Sequence, residues 1–267
     1  MSVRVRFAPS PTGYLHVGGL RTALFNYLYA KSKGGKIILR IEDTDKSRQV
    51  SGSQNQLMNV FNLLGIDFDE SPKKNGSFGP YLQSERLGLY KKHVDELLLK
   101  NLAYPCFCTS DRLKNIRKEK QLLKKSTQYD RHCLSLSSEQ IKEKYKAESF
   151  VIRLKIPKSK SITIKDLVRG NVTFNTGELD DQVLLKSDGY PTYHLANVVD
   201  DYYMKITHVI RGEEWLSSTP KHILLYNAFN WDLPQFAHVP LLLNKDKSKL
   251  SKRQGDVAVE DYLKKGF

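Results

Sequence analysis

The sequence predicts an α/β fold with a parallel sheet, because a strand, a glycine turn, a helix and a second strand follow one another near its start. Residues 3–7 alternate apolar and charged side chains, which is typical of a strand. After Gly18-Gly19 the apolar period changes to that of a helix running to about Ser32, with four residues on one face: Leu20, Leu24, Tyr27 and Leu28. The unbroken apolar run at 37–39 predicts a strand buried on both faces. This order is typical of the first unit of a nucleotide-binding fold.

Later segments show two kinds of secondary-structure pattern. Helical periodicity recurs over about 52–64, 85–100 and 220–229. Between the last two, residues 106–187 combine a Cys-containing turn and a Lys-rich helix near 110–125 with strands near 149–156, 161–168 and 182–187. We interpret 106–187 as an inserted α+β domain between 1–105 and 188–243, the two halves of the sheet domain, with 244–267 as a final segment.

The net positive charge is concentrated in one part of the chain. Lys and Arg number 43 against 29 Asp and Glu in 267 residues, for a net formal charge of +14, and residues 101–165 alone carry +10. Such a field attracts a polyanion, although charge alone does not separate a nucleic acid from an anionic membrane surface. No apolar run approaches the roughly 18–20 residues that cross a bilayer, and the start lacks a secretory signal. We therefore expect no membrane partner. Three Cys indicate a reducing compartment.

Two short motifs carry candidate chemistry. The turn His16-Val17-Gly18-Gly19 precedes the first helix, where two glycines and a helix N-terminus suit a phosphate. The loop Lys249-Leu250-Ser251-Lys252-Arg253 is strongly cationic. Each motif alone is more often a structural turn or a solvated loop. Together they resemble the paired motifs of class I aminoacyl-tRNA synthetases.

Four blocks narrow this resemblance to the catalytic part of the bacterial-type glutamyl-tRNA synthetase family: residues 6–19, 40–45, 189–201, and 211–215 through 249–253. The resemblance implies a Rossmann-like class I synthetase core with a parallel sheet, interrupted by a domain at 106–187 that binds the tRNA acceptor end. Residues 244–267 would hold the Lys-Leu-Ser-Lys-Arg loop and the start of the stem-contact region. We expect that this chain is a partial one without the anticodon-binding domain.

The resemblance also implies the reaction. ATP, accompanied by Mg²⁺, would activate L-glutamate to glutamyl-adenylate, and the glutamyl group would pass to the terminal adenosine of tRNA(Glu). Whether tRNA(Gln) is also a substrate stays open. The implied catalytic residues are His16, Lys249 and Lys252. Glutamate binding is carried over to Arg6, Ala8, Ser10, Glu42, Tyr193, Asn197 and Arg211. ATP binding is carried over to His16, Gly18, Gly19, Glu214, Lys249, Leu250, Ser251 and Lys252.

A structural zinc site is a further candidate. All three cysteines fall in the pattern Cys106-Phe107-Cys108 … Tyr129-Asp130-Arg131-His132-Cys133. Two thiolates on a tight turn and a distant third are compatible with zinc. Some members of the resembled family carry zinc on a matching pattern, which implies the ligands Cys106, Cys108, Tyr129 and Cys133, or less regularly His132 as the fourth. The alternative is three reduced, partly buried thiols.

Two other functions remain as alternatives. A short paralogue that attaches glutamate to queuosine in tRNA(Asp) has a similar length, and a catalytically inactive tRNA-binding module would share the basic insertion. A glutaminyl enzyme is disfavoured because residues 8–12 lack its Pro-Glu-Pro type opening. We expect a monomer. The basic isoelectric point near 9.5 and the bacterial-type sequence predict the mitochondrial matrix, with a bacterial cytoplasm as the alternative.

Overall fold

The computed structural model describes residues 2–244, 246–248, 250 and 258–267 of the chain. Its helices are Val17–Ser32 (α1), Ser53–Leu63 (α2), Leu87–Leu99 (α3), Ser110–Leu122 (α4), Ser138–Ala147 (α5), Tyr193–Tyr203 (α6), Thr219–Phe229 (α7) and Val259–Lys264 (α8). Its strands are Arg4–Phe7 (β1), Lys36–Leu39 (β2), Ala103–Cys106 (β3), Val151–Leu154 (β4), Ser161–Asp166 (β5), Gly170–Asn175 (β6), Val183–Leu185 (β7), His208–Gly212 (β8) and Gln235–Val239 (β9).

Parallel strand pairs form the centre of the fold. β1 runs parallel to β2, and β8 runs parallel to β9. The two pairs meet where the backbone N–H of Thr207 donates to the Arg4 carbonyl, with 2.9 Å between N and O. Farther along, the Asn26 side chain of α1 donates to the carbonyl of Ile210 on β8, at 3.1 Å. An amide side chain thus satisfies a strand carbonyl at the junction of the two pairs. The predicted parallel α/β sheet is confirmed.

The segment between the two sheet halves contributes to two different sheets. β3, β4 and β7 form an antiparallel sheet of their own, and β3 begins at Ala103, before the predicted boundary at 106. The hairpin of β5 and β6 instead extends the sheet of β8 and β9, because Asp166 on β5 pairs in parallel with Phe236 on β9. The inserted segment is therefore attached to the central sheet as well as interrupting it. The domain boundaries themselves stay predictions.

The five predicted helices are present as α1, α2, α3, α4 and α7, whereas α5, α6 and α8 were not predicted, and one buried face differs from the expectation. On α1, Leu24 and Leu28 are 41% and 53% exposed, whereas Ala23, Asn26 and Ala30 are buried. Small side chains let α1 lie close to β1, β2 and β8, and this close approach turns the leucines outward. No helix among the described residues is long and apolar enough to cross a membrane.

Helix α2 supplies a direct test of the core. Phe61 is fully buried and packs edge-on against Phe7 and Phe68, with ring centroids 5.6 and 5.0 Å apart. We expect Phe61→Ala to lower the free energy of unfolding by about 3–5 kcal/mol, because it leaves a cavity. The matched control Leu63→Ala, two residues along the same helix and 66% exposed, should change it by less than about 0.5 kcal/mol. Urea denaturation measures both, and equal losses would contradict this packing.

Candidate functional site

A cavity of about 970 Å³ opens at the carboxyl ends of β1 and β8, beside the first turns of α1 and α6. Ligands bind at this edge of open parallel sheets. Every described residue to which the sequence assigned glutamate or ATP lines it: Arg6, Ala8, Ser10, His16, Gly18, Gly19, Glu42, Tyr193, Asn197, Arg211, Glu214 and Leu250. Lys249, Ser251 and Lys252 lie outside the described residues. The structure thus brings the described set together, while the role of each residue stays a prediction.

The His16 turn caps helix α1. The backbone N–H of Gly18 donates to Nδ1 of His16 at 2.9 Å, so the proton of the neutral ring lies on Nε2. A Cβ on Gly18 would come within 3.1 Å of that Nδ1, and one on Gly19 within 3.2 Å of Leu15. The first turn of α1 carries no acidic side chain to neutralise its positive end. The turn can therefore present a helix N-terminus to an anion.

Arg211 is a buried cation without an acidic partner. It is 5% exposed, and no carboxylate of the described residues forms an ion pair with it. Its guanidinium donates to five uncharged acceptors: the hydroxyls of Tyr193 and Thr219, the carbonyl of Trp215, and ring nitrogens of His222 and His238. Burying an unpaired charge is costly, so this wall of the cavity favours an anionic ligand.

Arg6 has a carboxylate partner. Its Nε lies 3.0 and 3.2 Å from the two carboxylate oxygens of Asp201, and Nη1 of Arg40 lies 2.7 Å from one of them. Burial alone would raise the pKa of Asp201, but Arg6 and Arg40 outweigh burial and hold that pKa below its ordinary value. Asp201 therefore stays ionised and orients Arg6 at the cavity wall.

Glu42 places a negative charge on the same wall. One of its carboxylate oxygens lies 3.1 Å from Nη2 of Arg40, and the Asn197 side chain lies within 3.3 Å of that oxygen. Burial raises the pKa of Glu42, while Arg40 and Arg6 oppose the rise. The cavity thus offers a carboxylate suited to an ammonium group near guanidinium groups suited to a carboxylate, which is the complement of an acidic amino acid.

Several lining residues were missed by the sequence analysis. Some lie within the motif blocks or follow a block by two or three residues, and could have been found by proximity: Thr12, Arg21, Thr22, Thr44, Asp45, Ser47, Arg48 and Trp215. Gln83 and Lys186 come from segments without a motif, and tertiary structure alone brings them to the cavity. Lys186 donates to the carbonyl of Thr44 at 3.2 Å and so connects the end of β7 to the loop after β2.

The three cysteines form a separate cluster near the end of β3. The sulfur atoms of Cys106, Cys108 and Cys133 all lie within 4.8 Å of one another. The Tyr129 hydroxyl lies 3.4 Å from the Cys106 sulfur and 3.3 Å from the Cys108 sulfur. His132 is not part of this group of ligand atoms. A hydrogen bond from Cys133, against the effect of burial, lowers the pKa of Cys106 to about 4, so the cluster favours a thiolate. Three thiol sulfurs suit zinc, and the Tyr129 oxygen lies close enough to two of them to be the candidate fourth ligand.

Comparison with known proteins identifies the family. The family model described as tRNA synthetases class I (E and Q), catalytic domain, matches residues 2–267. The chain belongs to this family. It is 55% identical over 276 residues to the glutamate--tRNA ligase of Clostridioides difficile (strain 630), covering 100% of this chain and 56% of the relative. It is 56% identical over 271 residues to that of Chlorobium phaeobacteroides (strain DSM 266 / SMG 266 / 2430), covering 99% of this chain and 54% of the relative. The chain thus spans about half the length of the curated relatives it matches.

Solved structures support the same class I synthetase family. The glutamate tRNA ligase from Elizabethkingia meningosepticum CCUG26117, determined in complex with its amino acid, has a TM-score of 0.91 and 48% identity over 96% of this chain and 53% of its own. The glutamate-tRNA synthetase from Elizabethkingia anophelis has a TM-score of 0.91 and 47% identity, over 100% of this chain and 54% of its own. The predicted Rossmann-like class I synthetase core is therefore confirmed.

The raised pKa of Glu42 predicts a pH dependence for this synthetase domain. The ionised carboxylate that an ammonium group needs is lost as the pH falls, and a raised pKa moves this loss above the usual range of a carboxyl. We expect L-glutamate to bind more weakly at about pH 5 than at about pH 7.5, measured by calorimetry. In Glu42→Gln, overall binding should be weaker and this pH dependence should be lost. Equal wild-type affinities at the two pH values would contradict the prediction.

Proposed function

We propose that the protein acts as a glutamate–tRNA ligase. It activates L-glutamate with ATP and transfers the glutamyl group to the 3′-terminal adenosine of tRNA(Glu). The observation that carries this proposal is Arg211, a buried cation held by uncharged acceptors on the wall of the cavity. An unpaired cation discriminates a carboxylate from the neutral amide of glutamine, because the amide leaves the buried charge uncompensated. The names of the relatives that are more than 50% identical support this specificity.

The side-chain carboxylate and the ammonium group of the amino acid bind to residues of opposite charge. Arg6 and Arg211 receive its side-chain carboxylate, since planar guanidinium groups suit that anion. Glu42 receives the ammonium group. Tyr193, Asn197, Ser10 and Ala8 complete the pocket around the rest of the molecule. The charge pattern of the cavity supports this orientation.

The nucleotide binds at the opposite side of the cavity. His16, Gly18, Gly19, Glu214 and Leu250 adjoin the ATP, and Lys249, Ser251 and Lys252 are proposed to act with them. The location of two described neighbours supports this, because Leu250 lines the cavity and Ala258 pairs with His16. Mg²⁺ accompanies ATP and is held largely by phosphate oxygens and water.

The chemistry requires positioning more than a protein nucleophile. An oxygen of the glutamate α-carboxylate attacks the α-phosphorus in line, and the bond to the pyrophosphate oxygen breaks with its electron pair. A ribose hydroxyl of the tRNA then attacks the activated carbonyl, and AMP leaves. His16, Lys249 and Lys252 stabilise negative charge that develops on the phosphates, and the cavity holds the reactants in line.

The basic inserted segment binds the acceptor end of the tRNA. Exposed cations on α4, among them Arg117 and Lys118, suit phosphates. The relatives named above are bacterial, which supports a bacterial cytoplasm and gives no support to the mitochondrial matrix. We further propose that the protein is a monomer.

Glutamate-dependent ATP–pyrophosphate exchange tests the activity. We expect exchange with L-glutamate and not with glutamine, and only when total tRNA is present. Lys249→Ala should abolish exchange while tRNA binding is retained, whereas an inactive RNA-binding module would show no exchange in the wild type. Exchange without tRNA would favour the short queuosine-type paralogue. The absence of exchange in a folded sample under both conditions would contradict the proposed ligase.

Arg211 allows a more specific test of substrate choice. We expect Arg211→Gln to reduce glutamate-dependent exchange about 10- to 100-fold, because a charge-assisted hydrogen bond contributes about 1.5–3 kcal/mol. The matched control Lys33→Gln removes one exposed positive charge at the end of α1 and should leave exchange unchanged. Equal activity of both variants would remove Arg211 from substrate recognition.

We also propose that Cys106, Cys108, Tyr129 and Cys133 hold a structural zinc ion. The cluster shares no residue with the cavity lining, so the ion would stabilise the inserted segment and take no part in the reaction. We expect about one zinc per chain by metal analysis and loss of zinc with a lower Tm in Cys133→Ser. His132→Gln should retain both. A zinc-free wild type, or an unchanged Tm in Cys133→Ser, would contradict this site.

A further inference from the structure

Three buried side chains form a hydrogen-bonded series that extends from Arg211 away from the cavity. Nε of Arg211 lies 3.0 Å from Nε2 of His238, and Nδ1 of the same ring lies 2.6 Å from a carboxylate oxygen of Asp166. Asp166, His238 and Arg211 are 3%, 0% and 5% exposed. Neither His238 nor Asp166 lines the cavity. Any effect of these two residues on a ligand in the cavity passes through Arg211.

The bonding partners determine the proton position on His238. A guanidinium has only N–H donors, so Nε2 of His238 must accept, and the ring proton must lie on Nδ1, directed at Asp166. Burial, followed by the charge of Arg211, lowers the pKa of His238 to about 4, so the ring is neutral at neutral pH. Burial would raise the pKa of Asp166, but the His238 ring and nearby backbone N–H groups hold it below its ordinary value. The hydrogen-bonded series therefore consists of a carboxylate, a neutral imidazole and a guanidinium.

Asp166 is itself oriented by backbone. Its other carboxylate oxygen accepts from three main-chain N–H groups, those of Val168 at 3.0 Å, Arg169 at 2.9 Å and His238 at 3.2 Å. It stands at the end of β5, where that strand pairs with β9. The orientation of the Asp166 carboxylate toward His238 is therefore set by strand pairing and a tight turn, independently of any ligand.

We propose that Asp166 and His238 are positioning residues that hold Arg211 for the side-chain carboxylate of the amino acid. The inference rests on the proposed function. A carboxylate in direct contact with Arg211 would neutralise it, and the site would lose its preference for an anion over an amide. The interposed neutral ring keeps the negative charge of Asp166 one ring away and still orients the guanidinium. Because Asp166 belongs to the segment between β4 and β7, this segment contributes to amino-acid selection.

Asp166→Asn tests the proposal with little change in shape. The three backbone donors keep the amide oxygen on their side, so the amide N–H₂ faces Nδ1 of His238. Nδ1 must then accept, and the ring proton moves to Nε2, where it opposes the N–H of Arg211. We expect the KM for glutamate to rise about tenfold or more. The KM for ATP and kcat should change less than about threefold, and discrimination against glutamine should fall.

A spectroscopic readout separates positioning from general damage. ¹⁵N–¹H correlation spectra of histidine-labelled protein should show His238 protonated on Nδ1 in the wild type and on Nε2 in Asp166→Asn. His238→Gln, whose amide oxygen can still accept from Arg211, should retain more glutamate affinity than His238→Phe. The matched control His93→Gln replaces another buried histidine with both ring nitrogens hydrogen-bonded, outside the cavity lining, and should leave the KM for glutamate unchanged.

The outcomes distinguish this inference from the proposed function. Normal wild-type exchange, together with an unchanged KM for glutamate in Asp166→Asn and in His238→Phe, overturns the positioning role alone. A wild-type His238 protonated on Nε2 also overturns it. A folded wild type without glutamate-dependent exchange contradicts the proposed function, and the substrate-positioning role fails with it. A tautomer change accompanied by the selective rise in KM supports the proposal.

Discussion

The structure depends most on a buried network of arginines and carboxylates that joins four parts of the chain. Arg40 is fully buried and forms ion pairs with Glu42, Asp200 and Asp201. Arg6 on β1 shares Asp201, and Arg86 before α3 shares Asp200. Removing one member of such a network leaves a buried charge without compensation, which typically costs about 3–5 kcal/mol. The network therefore holds β1, the segment after β2, α3 and α6 in one arrangement.

Charge balance distinguishes Arg211 from the other buried charges at the cavity. The network has three guanidinium groups, on Arg6, Arg40 and Arg86, and three carboxylates, on Glu42, Asp200 and Asp201. It is thus close to neutral as a unit. Arg211 lies outside it, and its guanidinium donates to five uncharged acceptors among the described residues. Arg211 is therefore a buried positive charge at the cavity that a ligand carboxylate can compensate.

The inserted segment has two structural roles. Its antiparallel sheet carries the cysteine cluster, in which Cys106 ends β3 and Cys133 lies beside it. Its hairpin brings Asp166 against β9 and, through His238, against Arg211. The inserted segment thus supplies both the cysteine cluster, which is outside the cavity lining, and the buried contact of Asp166 to His238. The two features are on different sheets because β5 pairs with β9 and not with β4 or β7.

The sequence by itself determined the parallel sheet, most helices, the family and twelve of the residues that line the cavity. These depend on local signals: apolar period, glycine turns, and motifs whose residues are adjacent in the chain. Tertiary structure alone decided that Leu24 and Leu28 face outward, that Gln83 and Lys186 reach the cavity, and that Asp166 meets His238. Those outcomes depend on which strands pair and how closely helices pack. Asp166 and His238 are 72 residues apart, and no local pattern records a contact that strand pairing creates.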